Sequence, residues 1–96
     1  MINQTQREVI IRHLQPIRPR KIGVFGSFAR GDNKTESDLD ILLYLDNNNK
    51  ISLLDLIGAE QELSEALGIK VDLITERSLN PLVRPYVEKD LQIIFE

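Results

Sequence analysis

Two aspartates stand at alternate positions where a polar stretch gives way to a strongly apolar one. Asp38 and Asp40 begin the segment 38–45, whose other residues are Leu, Ile and Tyr. On a β-strand, residues two apart point to the same face with Cα atoms roughly 6.5 Å apart, so these carboxylates could share a divalent cation. The alternative is that both are solvated at a strand start, where Ser-Asp is also favourable turn chemistry. By itself the pair establishes little.

A glycine-serine pair closes an earlier apolar run. The segment 22–26, Ile-Gly-Val-Phe-Gly, is typical of a buried strand that ends in a tight turn, and Ser27 follows directly. A short helix starting at Ser27 would aim its free amides and the serine hydroxyl at an anion such as phosphate. The other interpretation is a strand-to-helix turn that binds nothing. Gly26 and Ser27 are therefore candidate phosphate-binding residues.

A third acid lies inside another apolar run. Asp72 stands between Val71 and Leu73, so we expect it in the middle of a strand and buried, where a carboxylate is costly without a positive partner. That partner could be an arginine, Arg30 or Arg77, in a purely structural ion pair. It could instead be a metal ion shared with the other two aspartates.

Three carboxylates beside a phosphate-binding turn are what a two-metal phosphoryl-transfer site requires, with ions about 3.5–4 Å apart. Arg30 and Lys34 lie in the loop between the turn and the aspartates. Either could meet the phosphates of a nucleotide. Either could equally be a solvated loop charge, which is the interpretation favoured for Lys34.

The rest of the chain is predicted to supply the elements that hold these groups. Apolar periodicity and the positions of proline and glycine indicate a helix over 6–13 or 6–14, strands over 22–26 and 38–45, a helix from Ser52 to Gly68, a strand over 69–75, a helix ending near Asp90 and a strand over 91–95. The first helix is expected to start on a capping box from Thr5 to Glu8. The order α-β-β-α-β-α-β predicts an α/β or α+β fold, a small mixed sheet with helices packed on it.

Composition limits the class of protein. We expect 96 residues to form one domain, 1–96, with a modest core, and 42% hydrophobic with 28% charged residues argues against disorder. The absence of cysteine excludes disulfides and thiolate zinc sites and fits a reducing compartment, so a cytoplasmic location is expected.

Charge and hydropathy also bear on partners. The N-terminal residues lack the apolar stretch of a signal peptide, and no run approaches the ~18 residues of a bilayer span, so no membrane association is expected. A net charge of −3 without a basic stripe argues against stable nucleic-acid binding.

The combined pattern resembles a known family. The segment GSFARGDNKTESDLDILL, followed by KVDLIT, is similar to the minimal nucleotidyltransferases (MNT or MntA-like domains) of the DNA polymerase β superfamily. The resemblance spans nearly the whole chain and implies the polymerase β-like nucleotidyltransferase fold. It also implies roles: Gly26 and Ser27 bind the triphosphate, Asp38, Asp40 and Asp72 hold two Mg²⁺ ions, Asp72 helps to activate the acceptor hydroxyl, and Arg30 assists phosphate or acceptor binding.

Two departures from the family pattern bear on nucleotide binding. Phe28 stands where many relatives have arginine, and Asn33-Lys34-Thr35 replaces a loop that is often more basic. Both lead us to expect a lower affinity for nucleotide than in family members that have the arginine and the more basic loop.

The resemblance implies a specific activity. Such domains are typically paired with a small helical HEPN protein, so the chain is expected to be the antitoxin of a toxin–antitoxin system, transferring AMP from ATP to a tyrosine hydroxyl of the HEPN toxin. Alternatives are a binding module that neutralises its partner by contact alone, a small-molecule nucleotidyltransferase, and a metal-free structural domain. Association with itself or with another chain is left open.

Overall fold

The computed structural model describes residues 2–96, which form four helices and one four-stranded sheet. The helices are α1 Gln4–Leu14, α2 Ser27–Arg30, α3 Leu53–Leu67 and α4 Arg84–Asp90; the strands are β1 Lys21–Phe25, β2 Leu39–Tyr44, β3 Val71–Thr75 and β4 Gln92–Phe95. Short 3₁₀ turns occupy Gln15–Ile17 and Glu76–Ser78. The predicted order omits the one-turn helix α2, and most predicted boundaries lie within two residues of these.

The sheet is mixed, as predicted. Its strand order is β3-β2-β1-β4; β2 and β3 run parallel, whereas β1 is antiparallel to both β2 and β4. The parallel pair is joined through α3, because parallel neighbours need a long crossover connection. The fold class is therefore confirmed: a small mixed sheet with helices packed on it.

One face of the sheet forms most of the core. α1 and α3 pack against each other, and α3 also packs on β3. Leu39, Ile41 and Leu43 of β2 are fully buried in the same cluster as Ile10 of α1 and Leu63 of α3. Since burying one such side chain contributes about 1.5–3 kcal/mol, this face holds β2 firmly in place.

The opposite face is covered only in part. α4 packs on β1, and the side chain of Leu91, just after α4, lies against Gly23. Leu42, the β2 partner of Gly23, is buried here, whereas Asp40 on the same face is half-buried. The cover of α4 thus leaves the start of β2 open.

Both long helices begin on capping boxes. In α1, Asn3 Oδ1 accepts from the Gln6 amide at 2.8 Å, and Gln6 Oε1 accepts from the Asn3 amide at 2.9 Å. The predicted box from Thr5 to Glu8 is therefore wrong, since Asn3 caps the helix and starts it at Gln4. In α3, Ser52 and Gly68 cap the two ends as predicted.

The helices are short or polar compared with the span of a bilayer. Within residues 2–96, no helix combines the length and the apolar character needed to cross a membrane.

Candidate active site

Asp40 occupies the centre of the candidate site because of its register in the sheet. It pairs with Phe25 at the end of β1 on one side and with Asp72 of β3 on the other. Residues paired in neighbouring strands point to the same face with their strands about 4.8 Å apart. Asp40 and Asp72 therefore present two carboxyl groups side by side.

The glycine turn touches this acid directly. Gly26 has φ 77° and ψ −154°, a conformation that favours glycine, and a Cβ built on it would collide with the Asp40 carboxyl group. Gly26 is thus constrained twice, by its backbone and by the close approach of Asp40. The two motifs, separate in the chain, form one site.

The turn continues into α2, which begins at Ser27. The carbonyl oxygen of Gly26 accepts from the amides of Ala29 and Arg30 at 3.1 and 3.0 Å. The amides of Ser27 and Phe28 lie at the start of the helix and have no partner within it. These groups follow directly on the glycine that contacts Asp40, so any anion held by them would lie close to that acid.

Asp72 is exposed, and the prediction of its burial is wrong. The reason is its place in the fold: β3 is an edge strand, and α4 packs on β1 rather than over Asp72. Neither arginine considered as its partner is paired with it. Arg30 pairs with Asp32 and Asp90, and Arg77 donates to the carbonyl oxygens of Asp46 and Asn49.

Asp38 lies one residue before β2 and faces a cation. Its Oδ2 is 3.8 Å from Lys70 Nζ, and both side chains are substantially exposed. Such an exposed pair contributes little to stability, so Asp38 can leave Lys70 at small cost.

The electrostatics of the site are concentrated on Asp40. Burial, the neighbouring Asp72 carboxylate and then Asp38 raise the pKa of Asp40 from 3.8 to about 6, although Arg30 acts in the opposite direction. Like charges brought together in a partly dehydrated site favour the protonated form, and a bound cation would reverse that effect.

The acids at the site are oxygen donors of the kind that a divalent cation takes. Across residues 2–96, no group of three or more His, Cys, Asp or Glu side chains is arranged so as to hold a metal ion. The chemistry nevertheless suits Mg²⁺: Asp40 and Asp72 offer hard oxygen donors at paired positions, and a cation there would offset the burial and the neighbouring carboxylates that raise the pKa of Asp40. A full set would require Asp38 to turn away from Lys70.

A cleft of about 380 Å³ opens beside Gly26, between the α2 turn and α4. Its walls include Arg30 of α2 and four residues of α4, Tyr86, Val87, Lys89 and Asp90. The sequence pattern indicates Arg30 as a site residue but gives no sign of the contribution of α4, which lies far along the chain from α2. No local pattern in 84–90 marks these residues, since a tyrosine and charges on a short helix are ordinary surface residues.

Phe28 is not part of this cleft. Its side chain is only 6% exposed and belongs to the hydrophobic core. At this position the departure from the family pattern therefore adds a side chain to the core.

The family profile described as "Nucleotidyltransferase domain" matches residues 6–94. The chain belongs to this family. Its resemblance to the minimal nucleotidyltransferases is thereby confirmed, and the protein is a nucleotidyltransferase enzyme.

Two curated relatives carry names of the same kind. A Methanocaldococcus jannaschii protein with the provisional name of protein adenylyltransferase is 44% identical over 90 residues, covering 88% of this chain and 90% of the relative. Protein adenylyltransferase MntA of Thermococcus cleftensis is 41% identical over 75 residues, covering 74% of each.

Solved structures share the fold. A crystal structure of a toxin–antitoxin with AMP-PNP has a TM-score of 0.81 and 25% identity, covering 93% of this chain and 72% of that one. A tri-AMPylated Shewanella oneidensis HEPN toxin in complex with MNT antitoxin gives a TM-score of 0.78 over 98% and 72%, and at 22% identity supports the fold alone.

Proposed function

We propose that this chain is an ATP- and Mg²⁺-dependent protein adenylyltransferase that transfers AMP to a tyrosine hydroxyl of a HEPN-type toxin and so acts as its antitoxin. The observation that carries the proposal is the contact between the Gly26 turn and Asp40, which itself pairs with Asp72. A phosphate-binding turn that touches an acidic pair is the arrangement required for nucleotidyl transfer.

The comparisons support the acceptor class. The Thermococcus relative is named a protein adenylyltransferase, and the structure at 25% identity is a toxin–antitoxin with AMP-PNP. Both are consistent with a nucleotide substrate and a protein partner for this chain.

Each side chain then has a distinct part in the proposed reaction. The amides that follow Gly26 and the hydroxyl of Ser27 bind the triphosphate. Arg30 in the cleft wall pairs with its negatively charged phosphate oxygens. Asp38, Asp40 and Asp72 would hold Mg²⁺, which when bound neutralises charge on the phosphates. Asp72, exposed beside Asp40, accepts the proton of the tyrosine hydroxyl as that oxygen attacks the α-phosphate and pyrophosphate leaves.

The test is mass spectrometry of a HEPN toxin incubated with the purified chain, ATP and MgCl₂. A mass gain of one or more AMP units on a tyrosine is expected, and it should disappear with the Asp40→Asn variant. Asp46→Asn, which removes an exposed carboxylate paired with Arg20, serves as the matched control and should leave the transfer intact.

Other outcomes lead to other functions. A toxin that is inhibited but unmodified would replace the proposal by neutralisation through contact alone. Transfer of AMP at an unchanged rate by Asp40→Asn would show that the acidic pair is not the catalytic centre.

A further inference from the structure

Arg30 is held by two carboxylates from distant parts of the chain. Its Nε donates to Asp32 Oδ2 at 3.0 Å, and its Nη1 donates to Asp90 Oδ2 at 2.7 Å. These two hydrogen bonds, the one to Asp32 first, raise the pKa of Arg30, whose guanidinium group is in any case always protonated. Two neighbouring edges of the planar group are thereby fixed.

The two carboxylates differ in their surroundings. The Asp32 side chain is 61% exposed and lies two residues from Arg30, whereas the Asp90 side chain is 18% exposed and comes from the end of α4. Gln92, two residues beyond Asp90, also reaches α2, since its Nε2 donates to the Ala29 carbonyl oxygen at 3.0 Å. The residues between α4 and β4 thus hydrogen-bond α2 at two points, the Arg30 side chain and the Ala29 carbonyl oxygen.

We propose that Asp90 is a positioning residue for nucleotide binding, which orients the Arg30 guanidinium group in the cleft so that its remaining N–H groups meet the phosphates. This inference rests on the proposed function in one respect, that the cleft beside Gly26 binds a nucleoside triphosphate. None of the sequence motifs that indicate the site includes Asp90.

The donor count of arginine supports this role. A guanidinium group has five N–H donors in a rigid plane, and Asp32 and Asp90 use one each. Three donors remain for phosphate oxygens, in an orientation set before the ligand arrives. Preorganising a long side chain in this way saves the entropy that binding would otherwise lose.

The charge of Asp90 has an opposing effect, because a carboxylate near the cleft repels phosphate. That charge is largely compensated, since Asp90 stands 2.7 Å from a permanent cation. Without Asp90, Arg30 keeps only the exposed Asp32, which holds it less firmly. The loss of orientation therefore exceeds the relief of repulsion, and removing the Asp90 charge weakens nucleotide binding.

The experiment is calorimetric titration of the full chain with AMP-PNP in MgCl₂. Asp90→Asn is expected to raise the Kd about tenfold, the effect of ordering one or two side chain rotamers. Asp90→Glu, which keeps the charge, should lose less. Asp46→Asn, which breaks the exposed pair with Arg20, should bind as the wild type does.

A double-mutant cycle separates positioning from a purely structural role. If Asp90 acts through Arg30, then Asp90→Asn does not weaken binding further in an Arg30→Ala background, where it only removes a carboxylate that has lost its compensating cation. The same loss in both backgrounds would overturn the proposal, as would unchanged or tighter binding by Asp90→Asn. Circular dichroism checks folding, and if Asp90→Asn fails to fold, Asp90→Glu carries the same cycle.

Failure of the positioning role of Asp90 can be told apart from failure of the proposed function. If the wild type modifies a toxin and Asp90→Asn binds AMP-PNP equally well, only the positioning role is wrong. If AMP-PNP binding depends on Asp90 but no AMP is transferred to protein, the adenylyltransferase proposal fails and the positioning role stands. If the wild type binds no AMP-PNP, both are wrong.

Discussion

Replacing Asp40 by asparagine should stabilise the fold while abolishing AMP transfer. Burial and the flanking carboxylates of Asp72 and Asp38 raise the pKa of Asp40 from 3.8 to about 6. The folded protein therefore binds a proton more tightly than the unfolded chain. Between pH 4 and pH 6 the contribution of Asp40 to the wild-type free energy of unfolding falls as the pH rises, and it stays lower above pH 6. The Asp40→Asn variant carries no charge at this position and would escape this loss.

The size of the effect follows from the pKa. A rise from 3.8 to about 6 corresponds to about 3 kcal/mol for an isolated group. Asp40 is only half-buried, so solvent screening reduces the expected gain to about 1–2 kcal/mol at pH 8. For a chain of this size, that gain is on the order of 5–10 °C in Tm.

The assay is urea denaturation of both proteins in EDTA from pH 3.5 to pH 8. The difference in free energy of unfolding between Asp40→Asn and the wild type should be near zero at pH 3.5. It should increase in favour of the variant between pH 4 and pH 6 and remain constant above pH 6. Asp46→Asn, an exposed acid paired with Arg20, should show a difference within about 0.5 kcal/mol at every pH. A destabilised Asp40→Asn at pH 8, or a gain independent of pH, would refute the reasoning.

Three further changes, one of them with a matched control, test the turn at the site, the core and the cap of α3. Gly26→Ala should destabilise the fold by about 1–3 kcal/mol in urea denaturation, because φ is positive and the new Cβ meets Asp40; unchanged stability would contradict this. Leu43→Ala should cost about 2–5 kcal/mol, whereas Leu82→Ala, at an 81% exposed position, should stay within about 0.5 kcal/mol. Ser52→Ala should cost about 1 kcal/mol and speed amide exchange in the first turn of α3, and equal exchange would count against the cap.

Local signals were enough for much of the fold. α3 begins and ends where Ser52 and Gly68 predict, because a cap depends only on residues a few positions away. The start of α1 was predicted two residues late, since two overlapping capping patterns compete there and Asn3 is the one that reaches the Gln6 amide. Capping preferences alone do not decide between two such overlapping patterns.

The exposure of Asp72 could not be predicted in the same way. An aspartate between two apolar residues is compatible with a central strand or an edge strand, and the sheet order decides between them. The order β3-β2-β1-β4 leaves one face of β3 open at Asp72.

By itself, the sequence determined the parts of the site that depend on spacing along the chain: a glycine turn after a strand, and acids at the start of the next. Only the tertiary structure decided that Gly26 touches Asp40, that Asp40 pairs with Asp72, and that Asp90 holds Arg30 from sixty residues away. The physical reason is that strand register and helix docking are chosen by the packing of the whole core. No local pattern records which distant side chains that packing brings together.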